Sequence, residues 1–196
     1  PSPLFPFQEG LLTDLKAWYR SGEWDLTAGT WPDASGNGFH ATLSSGVWQN
    51  VESAENGAMG VVTALRGTTS DSIDFGNVLP PAFTICSVTR YSGSTRRRIL
   101  EALSRNWFHG HQGGNAGVAY YEGWRTAQSN KLSPNTDWLV FCGANDASGT
   151  IKMNGDEIGT SSGGRGGDTL RINTGRYTGE ASDFAIAELM IWERHL

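Results

Sequence analysis

The segment Asp183-Phe184-Ala185-Ile186-Ala187-Glu188-Leu189-Met190-Ile191-Trp192 is apolar at every position after Asp183 except Glu188. Successive residues of an extended chain point to opposite faces, so this run is apolar on both of them. A strand with one wet face alternates apolar with polar, whereas a central, covered strand does not. The segment therefore reads as a central strand buried on both sides. It falls far short of the ~20 apolar residues of a membrane span, as does every other run in the chain.

Upstream, the pattern is one of short extended runs bounded by Gly, Pro, Asn or Ser. They fall at 41–43, 61–65, 72–75, 83–90, 98–103, 106–111, 117–121, 138–144 and 170–173. Residues 150–153 meet 157–160 across Asn154-Gly155, a dipeptide that favours the tight turn of a β-hairpin. The stretch Trp31-Pro32-Asp33-Ala34-Ser35-Gly36-Asn37-Gly38 is dense in turn chemistry. Only residues 10–24 suggest a helical turn, from the spacing of Leu11, Leu12, Leu15 and Trp18. A first strand through 16–20 is the alternative. Many strands, no sustained helical period and no βαβ alternation predict an all-β, two-sheet antiparallel β-sandwich of the jelly-roll kind.

With 196 residues and 38% hydrophobic composition, the chain can build one substantial core, and residues 10–196 read as a single domain. The Pro-rich start, Pro1-Ser2-Pro3-Leu4-Phe5-Pro6, reads as the end of a linker (residues 1–9) and so as part of a longer, multidomain protein. A formal charge of -5 argues against nucleic acid as a partner, since that would require a basic footprint. Cys86 and Cys142 lack metal-ligand spacing and read by default as buried thiols, with a disulfide between neighbouring strands as the alternative.

Three segments together resemble the laminin G-like branch of the concanavalin A-like lectin and glucanase superfamily. They are Leu15-Lys16-Ala17-Trp18 with the 31–38 turn, the strand Phe83-Thr84-Ile85-Cys86-Ser87-Val88-Thr89-Arg90, and the closing run from Asp183 to Leu196. The resemblance covers nearly the whole chain. It implies a lectin-like module that recognises cell-wall or cell-surface polysaccharide, in an extracellular, cell-surface or virion-associated protein. The superfamily also holds polysaccharide lyases and glycoside hydrolases, so a polysaccharide-degrading enzyme is the alternative function, and a protein-interaction or adhesion module is a third.

The expected ligand-binding surface is the 106–124 region. Alternation puts Trp107, His109 and His111 on one face, and Tyr120 shares a face with Glu122 and Trp124, opposite Tyr121. Aromatic rings beside hydrogen-bonding side chains could stack on a sugar and hold its hydroxyls. A lyase on the same strands would use His109 or His111 as base and Tyr120 or Tyr121 as acid. Arg96, Arg97, Arg98 or Arg125 would clamp the carboxylate. A glycosidase would need a carboxylate pair such as Glu101 with Glu122, or Glu122 with Glu188. No cofactor is expected. Asp33 with Asn37, and Asn145 with Asp146, could hold a structural calcium, although turn capping accounts for both pairs. The Arg96-Arg97-Arg98 cluster reads as a solvated hairpin tip.

Overall fold

The computed structural model describes residues 10, 12–129 and 131–196, so the expected linker and Leu11 of the expected helical turn lie outside the described residues. The strands in chain order are β1 (Leu15–Tyr19), β2 (Thr30–Trp31), β3 (Ala41–Leu43), β4 (Trp48–Glu52) and β5 (Val62–Gly67). Next come β6 (Ile73–Leu79), β7 (Thr84–Tyr91), β8 (Leu100–Ala102), β9 (Trp107–Gln112) and β10 (Asn115–Tyr121). The last are β11 (Leu139–Ala144), β12 (Ile151–Met153), β13 (Asp156–Glu157), β14 (Asp168–Ile172) and β15 (Phe184–Trp192). Sheet A has the order β13-β12-β11-β7-β15-β5-β4, with β1 paired to β15. Sheet B has the order β10-β9-β8-β14-β6-β3-β2. The pairings are antiparallel, and the two sheets enclose one main core between them. Among the described residues no helix is long and apolar enough to cross a membrane.

The closing run is central, as its two apolar faces require. All nine residues of β15 are buried. It pairs with β7 along its length, with β5 at its first half and with β1 at its second. Ile186, Leu189 and Ile191 enter the core between the sheets, while Met190 and Trp192 pack with Leu15 and Trp18 on the outer side. A bulge separates Ile186 from Glu188, and the Glu188 carboxylate accepts the Trp18 Nε1–H at 2.8 Å. The one charge in the run is thus hydrogen-bonded where it is buried.

Two default readings give way to the alternatives stated beside them, and two strands are added. Leu15 and Trp18 belong to a strand, not a helical turn: from Ala17 onward the faces alternate, with Ala17 and Tyr19 toward the core and Trp18 outward, and a bulge between Leu15 and Ala17 puts Leu15 on the same outer side as Trp18. Cys86 and Cys142 are register partners on β7 and β11 and form a disulfide rather than a pair of thiols. Strands β2 and β4 were not foreseen, being short or largely exposed. The Asn154-Gly155 turn forms as expected, with φ of 49° and 97°, and joins β12 to β13.

Candidate functional site

The face on which Trp107, His109 and His111 lie together is the inner one. None of the three has measurable exposure. His109 Nε2 donates to the Phe141 carbonyl at 3.1 Å, which leaves Nδ1 to accept from the Tyr121 hydroxyl at 2.8 Å. Tyr121 is itself fully buried, stacked on Trp107 with centroids 5.0 Å apart. Burial drives both histidines down to about 3. These four residues form part of the core, and they offer neither a surface to a polysaccharide nor an accessible base.

Tyr120 and Trp124 lie on the opposite, outer face of sheet B, together with Phe108 of β9. Phe108 stacks on Tyr120 at 5.7 Å, and Trp124 stands edge-on to both, at 5.5 and 5.4 Å. Trp124 reaches this face because the chain turns at Glu122, where φ is 56°, and folds back to bridge Tyr120. Register then carries the face across the sheet. Tyr120 opposes Phe108, Phe108 opposes Glu101, Glu101 opposes Arg171, and Arg171 opposes Asp74. Arg171 Nη2 pairs with Asp74 Oδ2 at 2.7 Å.

Arg98 enters this face just before β8. Its guanidinium lies 4.8 Å from the Phe108 ring and 4.8 Å from the Tyr177 ring, held between the two. Nη2 donates to Asn106 Oδ1 at 2.9 Å, and Nε lies 3.8 Å from Glu180 Oε2. Arg98 is only 7% exposed, so it is no solvated hairpin tip; Arg97 is exposed, and Arg96 Nη1 donates to Asn135 Oδ1. Glu101, 1% exposed, accepts the Gly175 N–H through Oε1. A Cβ on Gly175 would lie 2.3 Å from Glu101 Cδ, so the backbone rests directly on the carboxyl group. Burial pushes that carboxyl up to about 7, against the Gly175 hydrogen bond and the Arg98 charge; Glu180 acts in the raising direction. Burial likewise lowers Arg98 from its ordinary value, opposed by Glu180 and Glu101.

Four polar atoms of this cluster are buried without a hydrogen-bond partner: Arg98 Nε and Nη1, Glu101 Oε2 and Glu180 Oε2. Each such group costs on the order of 1–3 kcal/mol. The segment above them, residues 174–180, carries Tyr177 and a 3-10 turn at Thr178–Glu180 with no buried residue. Its ends are pinned together, since Asn173 Nδ2 donates to the Ser182 carbonyl and Asn173 Oδ1 accepts the Ser182 N–H.

The remaining expected residues are placed elsewhere. Glu122 is exposed and pairs with Arg105 at 2.9 Å and Arg165 at 3.8 Å, away from the partners of Glu101 and of Glu188. Arg125 Nε donates to the Gly123 carbonyl. Asp33 accepts from the N–H groups of Trp18, Ser35 and Phe39 and from the Ser35 hydroxyl, and Asn37 Nδ2 donates to the Leu15 carbonyl. Asn145 Oδ1 accepts the Phe83 N–H, and Asp146 accepts from Ser148 and from the Gly149 N–H. Asp33 and Asp146 thus cap their own turns, and Asn37 and Asn145 tie their loops to distant backbone. Among the described residues no group of three or more His, Cys, Asp or Glu is arranged to hold a metal ion.

Sequence reasoning missed Phe108, Glu101's setting, Tyr177 and Glu180. The signal for Phe108 was present, because alternation in β9 defines two faces; the choice between them rested on the polarity of histidine. Tyr177 and Glu180 lie far along the chain, and no local pattern links them to Arg98.

The same architecture occurs in solved structures. The binding domain of Paraclostridial mosquitocidal protein 1 aligns with a TM-score of 0.60 at 16% identity, over 95% of this chain and 50% of that one. Domain 4 of AbnA, a GH43 extracellular arabinanase from Geobacillus stearothermophilus solved with arabinotriose, aligns at 0.59 and 16% identity, over 93% and 94%. A Trypanosoma rangeli sialidase in complex with 2,3-difluoro-KDN aligns at 0.58 and 13% identity, over 100% of this chain and 34% of that one. The chain thus spans half of the toxin domain and about a third of the sialidase. No protein-family model matches the sequence, and no curated protein matches it. At these identities the likeness is one of fold: a two-sheet, jelly-roll β-sandwich.

Proposed function

We propose that the chain is a carbohydrate-binding, lectin-like module of the laminin G-like kind, recognising cell-wall or cell-surface polysaccharide without a cofactor. It would act within a larger extracellular or virion-associated protein. The observation that carries this reading is the outer face of sheet B, where the half-buried Tyr120 and Trp124 pack over the buried Phe108, beside the exposed Tyr177 and the buried Arg98 and Glu101 beneath it. A sugar needs an aromatic surface for its C–H face and charged groups for its hydroxyls, and both are adjacent here. The arabinotriose complex of a domain that shares this fold nearly end to end supports the assignment. The Cys86–Cys142 disulfide suits an oxidising, extracellular setting.

Retention on immobilised neutral and uronate-containing wall polysaccharides tests the proposal. Trp124→Ala and Tyr120→Ala are each expected to weaken retention by about tenfold, in keeping with the loss of a ring contact. Retention unaffected by both substitutions would place binding elsewhere. Failure to bind any glycan would favour the protein-interaction reading. A polysaccharide-degrading activity is the second reading; in it Glu101, whose carboxyl burial raises, would act as general acid only once the backbone at Gly175 uncovers it. It requires new reducing ends or unsaturated products that disappear in Glu101→Gln.

A further inference from the structure

The buried atoms without a hydrogen bond around Arg98 are of two kinds in one place. Arg98 Nε and Nη1 are donors, and Glu101 Oε2 and Glu180 Oε2 are acceptors; of these, Nε and Glu180 Oε2 face each other as an ion pair at 3.8 Å, too long for a hydrogen bond. A carboxylate or sulfate would satisfy the guanidinium but meet two glutamate oxygens. An ammonium group would satisfy the glutamates but meet the guanidinium. A hydroxyl both donates and accepts, and two neighbouring hydroxyls can meet the donors and acceptors together. The cluster is held in place: Arg98 lies between the Phe108 and Tyr177 rings, and its Nη2 donates to Asn106.

We infer that Arg98, Glu101 and Glu180 form a subsite for adjacent hydroxyls of a neutral sugar, reached when residues 174–177 move off the sheet while Glu180 stays bound to Arg98. The inference rests on the glycan-binding reading above and deepens it by naming the ligand class. The Tyr177 ring covers Arg98 on the side away from Phe108 and is itself 38% exposed. The segment that carries it lies over the face as an Ω-loop, with its ends tied at Asn173 and Ser182, so it can lift without disturbing either sheet. The part that lifts is linked to the sheet beneath by the hydrogen bonds Gly175 N–H to Glu101 and Arg176 N–H to the Ala102 carbonyl, whereas the Arg98 N–H to the Glu180 carbonyl bond keeps Glu180 at the site. A sugar entering here would keep the neighbouring Trp124 and Tyr120 rings as its stacking surface.

The test is a titration by calorimetry and tryptophan emission with oligosaccharides of two sets. The neutral set comes from arabinan, galactan, xylan, mannan and β-glucan; the acidic set is polygalacturonate and alginate oligomers and sialyllactose. At least one neutral ligand is expected to bind about tenfold or more tightly than every acidic one. Arg98→Lys and Glu180→Gln should each weaken it about tenfold or more, as loss of a charge-assisted hydrogen bond does. Glu180 is partly exposed, so Glu180→Gln keeps the test valid if Arg98→Lys fails to fold, which circular dichroism reports. Tighter binding of acidic ligands overturns the inference. So does neutral binding that falls in Trp124→Ala but not in Arg98→Lys or Glu180→Gln, although glycan recognition itself would then stand. Binding of neither set removes both.

Discussion

Glu101 and the two inward histidines titrate in overlapping ranges with opposite effects on stability. His109 and His111 fall to about 3 in the folded protein, so below their ordinary 6.5 the unfolded chain takes up protons that the folded chain refuses. Stability is therefore lost as pH falls from 6.5 toward 3, by about 1.4 kcal/mol per pH unit for each histidine at most. Glu101 is raised from 4.5 to about 7, so the folded protein takes up that proton first, and stability is gained as pH falls from 7 to 4.5. Between 6.5 and 4.5 the glutamate offsets one histidine, and below 4.5 neither histidine is offset. Urea denaturation across this range should show a shallow loss that steepens below pH 4.5, where the Glu52 carboxylate, held low despite its burial by Arg90, adds its own loss to that of the histidines. Glu101→Gln should remove the shallow section. A single slope in the parent protein, unaltered by the substitution, would mean that these groups are not held as described. The histidines also show what sequence left undecided at this scale: His109 is placed inside because Tyr121 and the Phe141 carbonyl satisfy both its nitrogens there.

Among the elements, β7 and β11 are joined both by their ladder and by the Cys86–Cys142 bridge, which spans 56 residues of chain. Closing a loop of that length restricts the unfolded chain, a contribution of about 4 kcal/mol in the entropic account. Replacing both cysteines by serine is expected to lower stability by about 2–4 kcal/mol in denaturant titration while leaving the strand signal in circular dichroism intact. A change within error would show that the ladder alone carries this pairing. The strands themselves were largely legible. The runs at 41–43, 83–90 and 138–144 match β3, β7 and β11 within a residue or so, because Gly, Pro and Asn punctuate apolar stretches. β1 was ambiguous, since Leu15 and Trp18 have helical spacing and share a face of the strand only through the bulge between Leu15 and Ala17.

Across the whole molecule, protection should be graded from the middle of sheet A outward. Every residue of β7 and β15 is buried, whereas residues 174–180 are exposed or half-buried over the outer face of sheet B. Amide exchange of β7 and β15 should require global unfolding, and that of the 174–180 segment should be faster by several orders of magnitude. Equal protection would deny the segment the local opening that ligand entry needs. Sequence by itself determined the all-β class, the central closing strand and the Asn154-Gly155 hairpin, because alternation and turn chemistry act over a few residues. Tertiary structure decided which face of β9 looks outward, whether the cysteines join, and that Arg98 meets Phe108, Tyr177, Glu101 and Glu180. A strand pattern repeats every two residues and is silent about which side will be covered. That is settled only when a second sheet packs on one face, and when a segment some 80 residues further along the chain folds across the other.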